Sequence, residues 1–156
     1  MNDANASGEG THVERVRARG HENVTGEHAS TVEVTTDDWL TPAGDCIVGV
    51  EADGTPADFN DAFVDACQSS EATITAEFAV DAGEETLTDT ITGRGDPELT
   101  FEGDRSLVGR TSEYVDDRTV FVDADGAAAD LDRELIDALA AGAELTLTLT
   151  VESGEN

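Results

Sequence analysis

The sequence predicts a mainly β protein: an antiparallel, jelly-roll-like β-sandwich with two packed α-helices. Two patterns carry that reading. Eight or nine segments alternate apolar and polar residues, the period of a strand with one buried face, and short polar turns join them. Two other segments place apolar residues three and four apart, as a helix does when one stripe lies on a core. Strands in that majority pack as sheets, with the helices against them. No internal repeat is read from the chain.

Residues 1–10 are small and polar without periodicity and read as a disordered leader. Val16 and Ala18 alternate with Arg15, Arg17 and Arg19, which predicts a first strand from about Val13. If it runs to Asn23, His21 and Asn23 extend the arginine face; Gly20 is the point where it can break. Thr31–Thr35 turns Val32 and Val34 inward. Cys46–Val50 is an unbroken apolar run, as in a strand buried on both faces. Thr55, Pro56 and Asp58 then open a helix with a cap, a first-turn proline and an acid at the positive end of the dipole. Phe59, Ala62, Phe63 and Ala66 are its stripe. Ala72–Val80 and Thr86–Thr92 form a hairpin that turns at Asp81–Glu84. Leu99 and Phe101 mark another strand, and Leu107–Arg110 and Thr119–Val122 two more. A second helix starts at Asp125 or Gly126, carries Ala128, Leu131, Leu135, Ala138 and Leu139, and stops at Gly142. In the last strand Leu145, Leu147, Leu149 and Val151 alternate with threonines. Residues 11–152 make one domain, and 153–156 a short polar tail.

The chain has no lysine; eight arginines face 36 Asp and Glu, for a net charge of −28. The acids run no longer than pairs such as Asp37–Asp38 and Asp116–Asp117, so they form a shell and not a tail. At about 1 M ionic strength the screening length is roughly 3 Å. Such a shell therefore suits a cytoplasm at molar salt, where carboxylates keep the protein hydrated and their repulsion matters little. The sequence shows no signal peptide and no apolar run long enough to span a membrane, so a cytoplasmic protein without a membrane partner is expected. Cys46 and Cys67 form no C-x-x-C pair and read as free thiols.

The string Arg17-Ala18-Arg19-Gly20-His21-Glu22-Asn23 is followed by His28, Thr31, Glu33 and Thr35, then by Leu40-Thr41-Pro42 and Gly44-Asp45-Cys46-Ile47. Later come Gly93, Gly95, Pro97 and Leu99, then Arg110 with Ser112, Arg118-Thr119, and Ala124-Asp125 leading into Ala127-Ala128. From about Val13 to Val151 this pattern resembles an archaeal family known as domain of unknown function 371, in a haloarchaeal form. The resemblance implies a β-sandwich-like fold. It implies no activity and supplies no catalytic residues.

Four constellations bear on chemistry. Arg15, Arg17 and Arg19 at strand spacing, continued by His21 and Asn23, suit a phosphate or carboxylate, which guanidinium grips with two parallel hydrogen bonds. They equally suit pairing with acids on neighbouring strands such as Glu33. His21, His28 and Cys46, with Asp45 nearby, are ligand types of a zinc or iron site, though their spacing matches no metal signature; satisfied loop histidines and a buried thiol are the plainer reading. Asp45, at the mouth of the buried strand, is placed for a general base or for bonding turn amides. Gly93-Arg94-Gly95-Asp96-Pro97 is either an anion nest or a hairpin loop, and no nucleotide-cofactor fingerprint is present. The expectation is a binding module for a phosphate-bearing ligand, a small molecule or RNA, held by Arg17, Arg19, His21, Asn23 and Asp45 and joined by Arg110 and Arg118. The alternatives are a metal-assisted hydrolase and a structural or partner-binding protein. Few aromatics are available as an RNA stacking platform.

Overall fold

The structure is a computed structural model that describes residues 11–153. The expected leader (1–10) and all but the first residue of the expected tail lie outside the described residues. Eight strands form: β1 (Thr11–Arg19), β2 (Thr31–Thr35), β3 (Ile47–Gly49), β4 (Thr73–Asp81), β5 (Thr86–Arg94), β6 (Ser106–Arg110), β7 (Thr119–Phe121) and β8 (Glu144–Glu152). Two helices, α1 (Asp61–Cys67) and α2 (Arg133–Ala140), each follow a 3-10 turn, Pro56–Asp58 and Ala128–Asp130. The fold is mainly β, two four-stranded sheets with two helices, as the alternation predicts.

One sheet has the order β1-β8-β4-β5 and is antiparallel throughout; the other has the order β3-β2-β6-β7. In the second sheet only the central β2–β6 pair is antiparallel. The outer pairs β2–β3 and β6–β7 are parallel, which corrects the antiparallel expectation at those two places. Side-chain alternation sets which face is buried but says nothing of a neighbour's direction. Two isolated antiparallel bridges, Arg19–Val50 and Arg94–Val122, tie the edges of one sheet to those of the other, closing a flattened circuit. Along the first sheet β1 lies against β8, with Thr11 opposite Glu152. Val16, Phe78, Leu147 and Leu149 from this sheet meet Val32, Val34 and Leu107 from the other in one continuous core. The cavity left between the sheets is only about 10 Å³, too small to hold more than one water.

The chain is an internal repeat, which the sequence reading missed. Strand–strand–strand–turn–helix–strand occurs twice. β1 and β5 start at Thr11 and Thr86, and β2 and β6 at Thr31 and Ser106, a separation of 75 in both pairs. β3 and β7, the two 3-10 turns and the two helices are 72 apart, and β4 and β8 are 71 apart. Exchanging the halves maps each sheet order onto itself reversed, so the halves are related by a pseudo-twofold axis. Glu77 opposite Thr148 and Glu33 opposite Val108 are pairs of equivalent residues and mark where the axis crosses each sheet. Detail repeats as well. Glu51 and Asp123 take φ of 58° and 56°, and Gly26 and Phe101 take 57° and 52°. Asp58 accepts a bond from Thr55 N (2.9 Å), and Asp130 one from Ala127 N (2.9 Å). The string Val50-Glu51-Ala52-Asp53-Gly54 returns as Val122-Asp123-Ala124-Asp125-Gly126.

Leu99 and Phe101 are not a strand. Phe101 stands in the left-handed region and folds its ring into a cluster with Phe59 and Phe63, centroids 5.9 and 6.2 Å away. Both helices begin later than expected, at Asp61 and Arg133, because the 3-10 turns take up the first residues of each periodic stretch. Asn60 and Asp132 are the side chains that cap them.

Candidate functional site

β1 turns Val16 and Ala18 into the core, so Arg15, Arg17 and Arg19 stand on the outer face of the first sheet. Across the ladder they meet Thr148, Thr146 and Glu144 of β8. Arg15 and Arg17 make no ion pair with any described residue, so the pairing with Glu33 is not formed. Arg19 reaches Glu51 at 3.8 Å with both side chains about half exposed. Its equivalent, Arg94, is locked: Nε lies 3.0 Å from Asp123, a terminal nitrogen 3.2 Å from Glu113, and the other 3.5 Å from Asp96 and 2.9 Å from the Gly95 carbonyl. The carboxylates around Arg94 raise its pKa, the Asp123 hydrogen bond most of all. The acid at 96 is the residue that His21 replaces in the first half.

Beside the arginine row runs an open groove of about 880 Å³, lined by Arg17, Arg19, Glu51, Asp53, Asp81 and Glu144 among others. A second hollow of about 350 Å³ shares Arg19, Glu51 and Gly142 with it and extends over Gly20 and His21. Asp53 is held there because its carboxylate accepts from Arg17 N at 2.9 Å, as Asp125 does from Thr92 N at 3.0 Å. Glu51 and Asp53 escaped the sequence reading. The signal that locates them is the repeated Val-acid-Ala-Asp-Gly string.

The strand does not run to Asn23. β1 stops at Arg19, and residues 21–24 turn: His21 Nδ1 accepts from Asn23 N (3.0 Å), while the Asn23 amide donates to the Leu40 carbonyl (2.8 Å). Asp96 makes the equivalent turn in the second half through Glu98 N (2.8 Å). His21 remains at the rim of the smaller hollow, but Asn23 is committed to the fold. The Asp45 carbonyl accepts from Glu27 N and His28 N, at 3.1 and 3.3 Å.

Arg110 and Arg118 are elsewhere. Leu107 and Gly109 line the cavity between the sheets, so Arg110 points from the far face of the second sheet, opposite to the β1 arginines. There Asp116 joins both guanidiniums, Arg118 at 2.7 Å and Arg110 at 3.0 Å, while Arg110 Nε donates to Thr119 Oγ1 at 2.9 Å. Burial alone would raise the Asp116 pKa; the Arg118 bonds, the Arg110 charge and the Thr119 hydroxyl overcome it and hold the carboxyl at about 2. Next to this seam Cys46 Sγ donates to Glu33 (3.3 Å), and burial with the Glu33 charge pushes the thiol up to about 11. Burial alone lifts Cys67 to about 12. Neither is a thiolate nucleophile at neutral pH. His28 Nδ1 accepts from Ser30 N and Thr31 N, at 3.2 and 3.1 Å. Among the described residues no group of three His, Cys, Asp or Glu is placed to hold a metal ion, so His21, His28 and Cys46 do not come together as one. The proposed nest at Gly93–Pro97 is spent: Gly95 N and Asp96 N donate to the carbonyls of Ala72 and Cys67, both at 3.0 Å.

The expected residues thus separate into an arginine row with an open groove and a seam whose groups satisfy one another. The family model described as "Domain of unknown function (DUF371)" matches residues 16–152. An uncharacterised protein of Methanocaldococcus jannaschii is 35% identical over 136 residues, which cover 87% of this chain and 97% of that protein.

Proposed function

The chain belongs to the DUF371 family, and from the geometry of its arginines we propose that it is a binding module for a phosphate-bearing small molecule, held on the Arg15, Arg17 and Arg19 face of β1. One observation carries the reading. In a chain with 36 acids, Arg15 and Arg17 alone among the described arginines have no side-chain partner. Arg133 is tied to the Ala128 and Leu131 carbonyls, and the other five meet carboxylates. Guanidiniums at strand spacing grip phosphate oxygens by geometry as well as charge. Long-range attraction alone would be weak in concentrated salt, which favours a small ligand beside the groove over a long RNA track. The equivalent positions in the second half are Thr90, Thr92 and the locked Arg94, so the site belongs to one half only. The lysine-free acidic shell supports a salt-rich cytoplasm as its setting.

The test is a thermal-shift screen of sugar phosphates and nucleotides in concentrated potassium chloride. A binding compound at a hundredfold its Kd adds about 2.7 kcal/mol to the folded state. The shift should vanish in Arg15→Ala and Arg17→Ala. The unliganded melting of both variants should stay within about 0.5 kcal/mol of wild type, since the side chains are exposed and unpaired. Absence of any shift across the phosphate compounds would sink the reading.

A further inference from the structure

The pseudo-twofold places two acid–aromatic pairs in equivalent loops: Asp38–Trp39 after β2 and Glu113–Tyr114 after β6. Trp39 and Tyr114 are 57% and 60% exposed. In the second half arginine serves both members of the pair. The Arg110 guanidinium stands 4.9 Å from the Tyr114 ring centroid, and Arg94 lies 3.2 Å from the Glu113 carboxylate. In the first half both places are vacant. Thr35 occupies the position of Arg110, and Arg19, the equivalent of Arg94, keeps only the counterpart of the Asp123 contact, to Glu51 at 3.8 Å, and forms no ion pair with Asp38. Asp37 is already taken by Arg105, with contacts of 3.1 and 2.7 Å. Asp38 makes no ion pair or side-chain hydrogen bond with a described residue.

We propose that the Asp38–Trp39 loop is a docking point for an arginine side chain of a partner polypeptide. The second half fills both places with two of its own arginines, Arg110 on the ring and Arg94 on the carboxylate, and the first half fills neither, so one incoming guanidinium has both partners open to it. The missing component is a flat, weakly hydrated cation that stacks on a ring while bonding a carboxylate, which arginine supplies better than lysine. The net charge of −28 favours a basic segment over an acidic one, and in concentrated salt the short-range stacking and carboxylate contacts must hold it, because long-range attraction is screened. This site is separate from the β1 groove and stands or falls without it.

Trp39 is the only tryptophan in the chain, so its emission reports the site directly. The probe is a blocked Gly-Gly-Arg-Gly-Gly peptide titrated into the whole protein, in enough potassium chloride to keep its circular dichroism native. Lysine and glutamine versions serve as comparisons. A saturable emission change is expected with arginine, weaker with lysine and absent with glutamine. Asp38→Asn should weaken arginine binding about three- to tenfold. Glu77→Gln, which removes the same charge from the outer face of the other sheet, should leave it unchanged. Equal weakening in the two variants would reduce the effect to general acidity and overturn the proposal, as would an unsaturable response or equal binding of lysine. Self-association in sedimentation that disappears in Asp38→Asn would assign the arginine to a second copy of this chain and likewise overturn the separate partner.

Discussion

At the scale of single residues, Asp116 has the clearest energetic role. Its carboxylate, itself half-buried, holds the buried Arg110 and the exposed Arg118 together. Asp116→Asn should cost about 2 kcal/mol, the range of hydrogen bonds to charged groups. The pH dependence has a definite sign. The folded carboxyl titrates at about 2, below its ordinary 3.8, so its contribution is present above about pH 4 and fades as pH falls towards 2. Urea unfolding of wild type and variant should therefore differ fully at pH 7 and converge between pH 4 and 2. The remaining carboxylates are common to both proteins and cancel in the difference. A difference that stayed constant down to pH 2 would remove Asp116 from this role.

At the scale of elements, the two halves are interlocked. Gly20, just past β1, donates to the Ala143 carbonyl at 2.7 Å and lies so close to α2 that an added Cβ would strike the Leu139 carbonyl. Gly95, just past β5, repeats this against Ala72 and the Cys67 carbonyl of α1. Each half thus seats the other half's helix. Gly20→Ala and Gly95→Ala should each destabilise by about 3 kcal/mol, because backbone meets backbone and little can yield. Gly83→Ala, with φ of 92° but nothing within 4 Å, should cost only about 1–2 kcal/mol. Denaturant midpoints with unchanged slopes would check this ordering. The strands and their inward faces were legible because a period of two states them outright, so the outward row Arg15, Arg17, Arg19 was legible too. Leu99–Phe101 misled because a loop that plugs a core is as apolar as a strand. That Arg110 and Arg118 lie on the opposite sheet was not legible, since sheet membership depends on contacts far apart in sequence. The repeat was legible in its Val-acid-Ala-Asp-Gly strings and its two Arg-Gly pairs, but the strands between them have diverged to Arg on one side and Thr on the other.

At the scale of the whole molecule, charge and closure oppose each other. The two corner bridges leave the sheets tied at both sides, while −28 of net charge pushes every part of the surface outward. In dilute buffer that repulsion reaches about 30 Å at 0.01 M salt and falls to about 3 Å at 1 M. Far-UV circular dichroism should show the β signal strengthening and the melting temperature rising with potassium chloride. A salt-independent melt from tens of millimolar upward would separate the acidic surface from any need for salt.

Thr11 beside Glu152 has a consequence for how the chain can be cut and rejoined. Under the pseudo-twofold, the step from the end of β8 to the start of β1 is the counterpart of the tight β4–β5 hairpin at Ala82–Glu85. The hairpin is therefore one of two interchangeable seams in a circular order of elements. A circular permutant that opens at Gly83 and joins β8 to β1 through a short glycine-containing turn should fold to the same sheets, because exposed turn tips tolerate new termini. Its strand order along the chain would begin with the second half and end with the first, and its circular dichroism should match the parent's. A permutant that stayed unfolded in concentrated salt would mean that the β4–β5 turn is needed to start folding, and that the two seams are equivalent in shape alone.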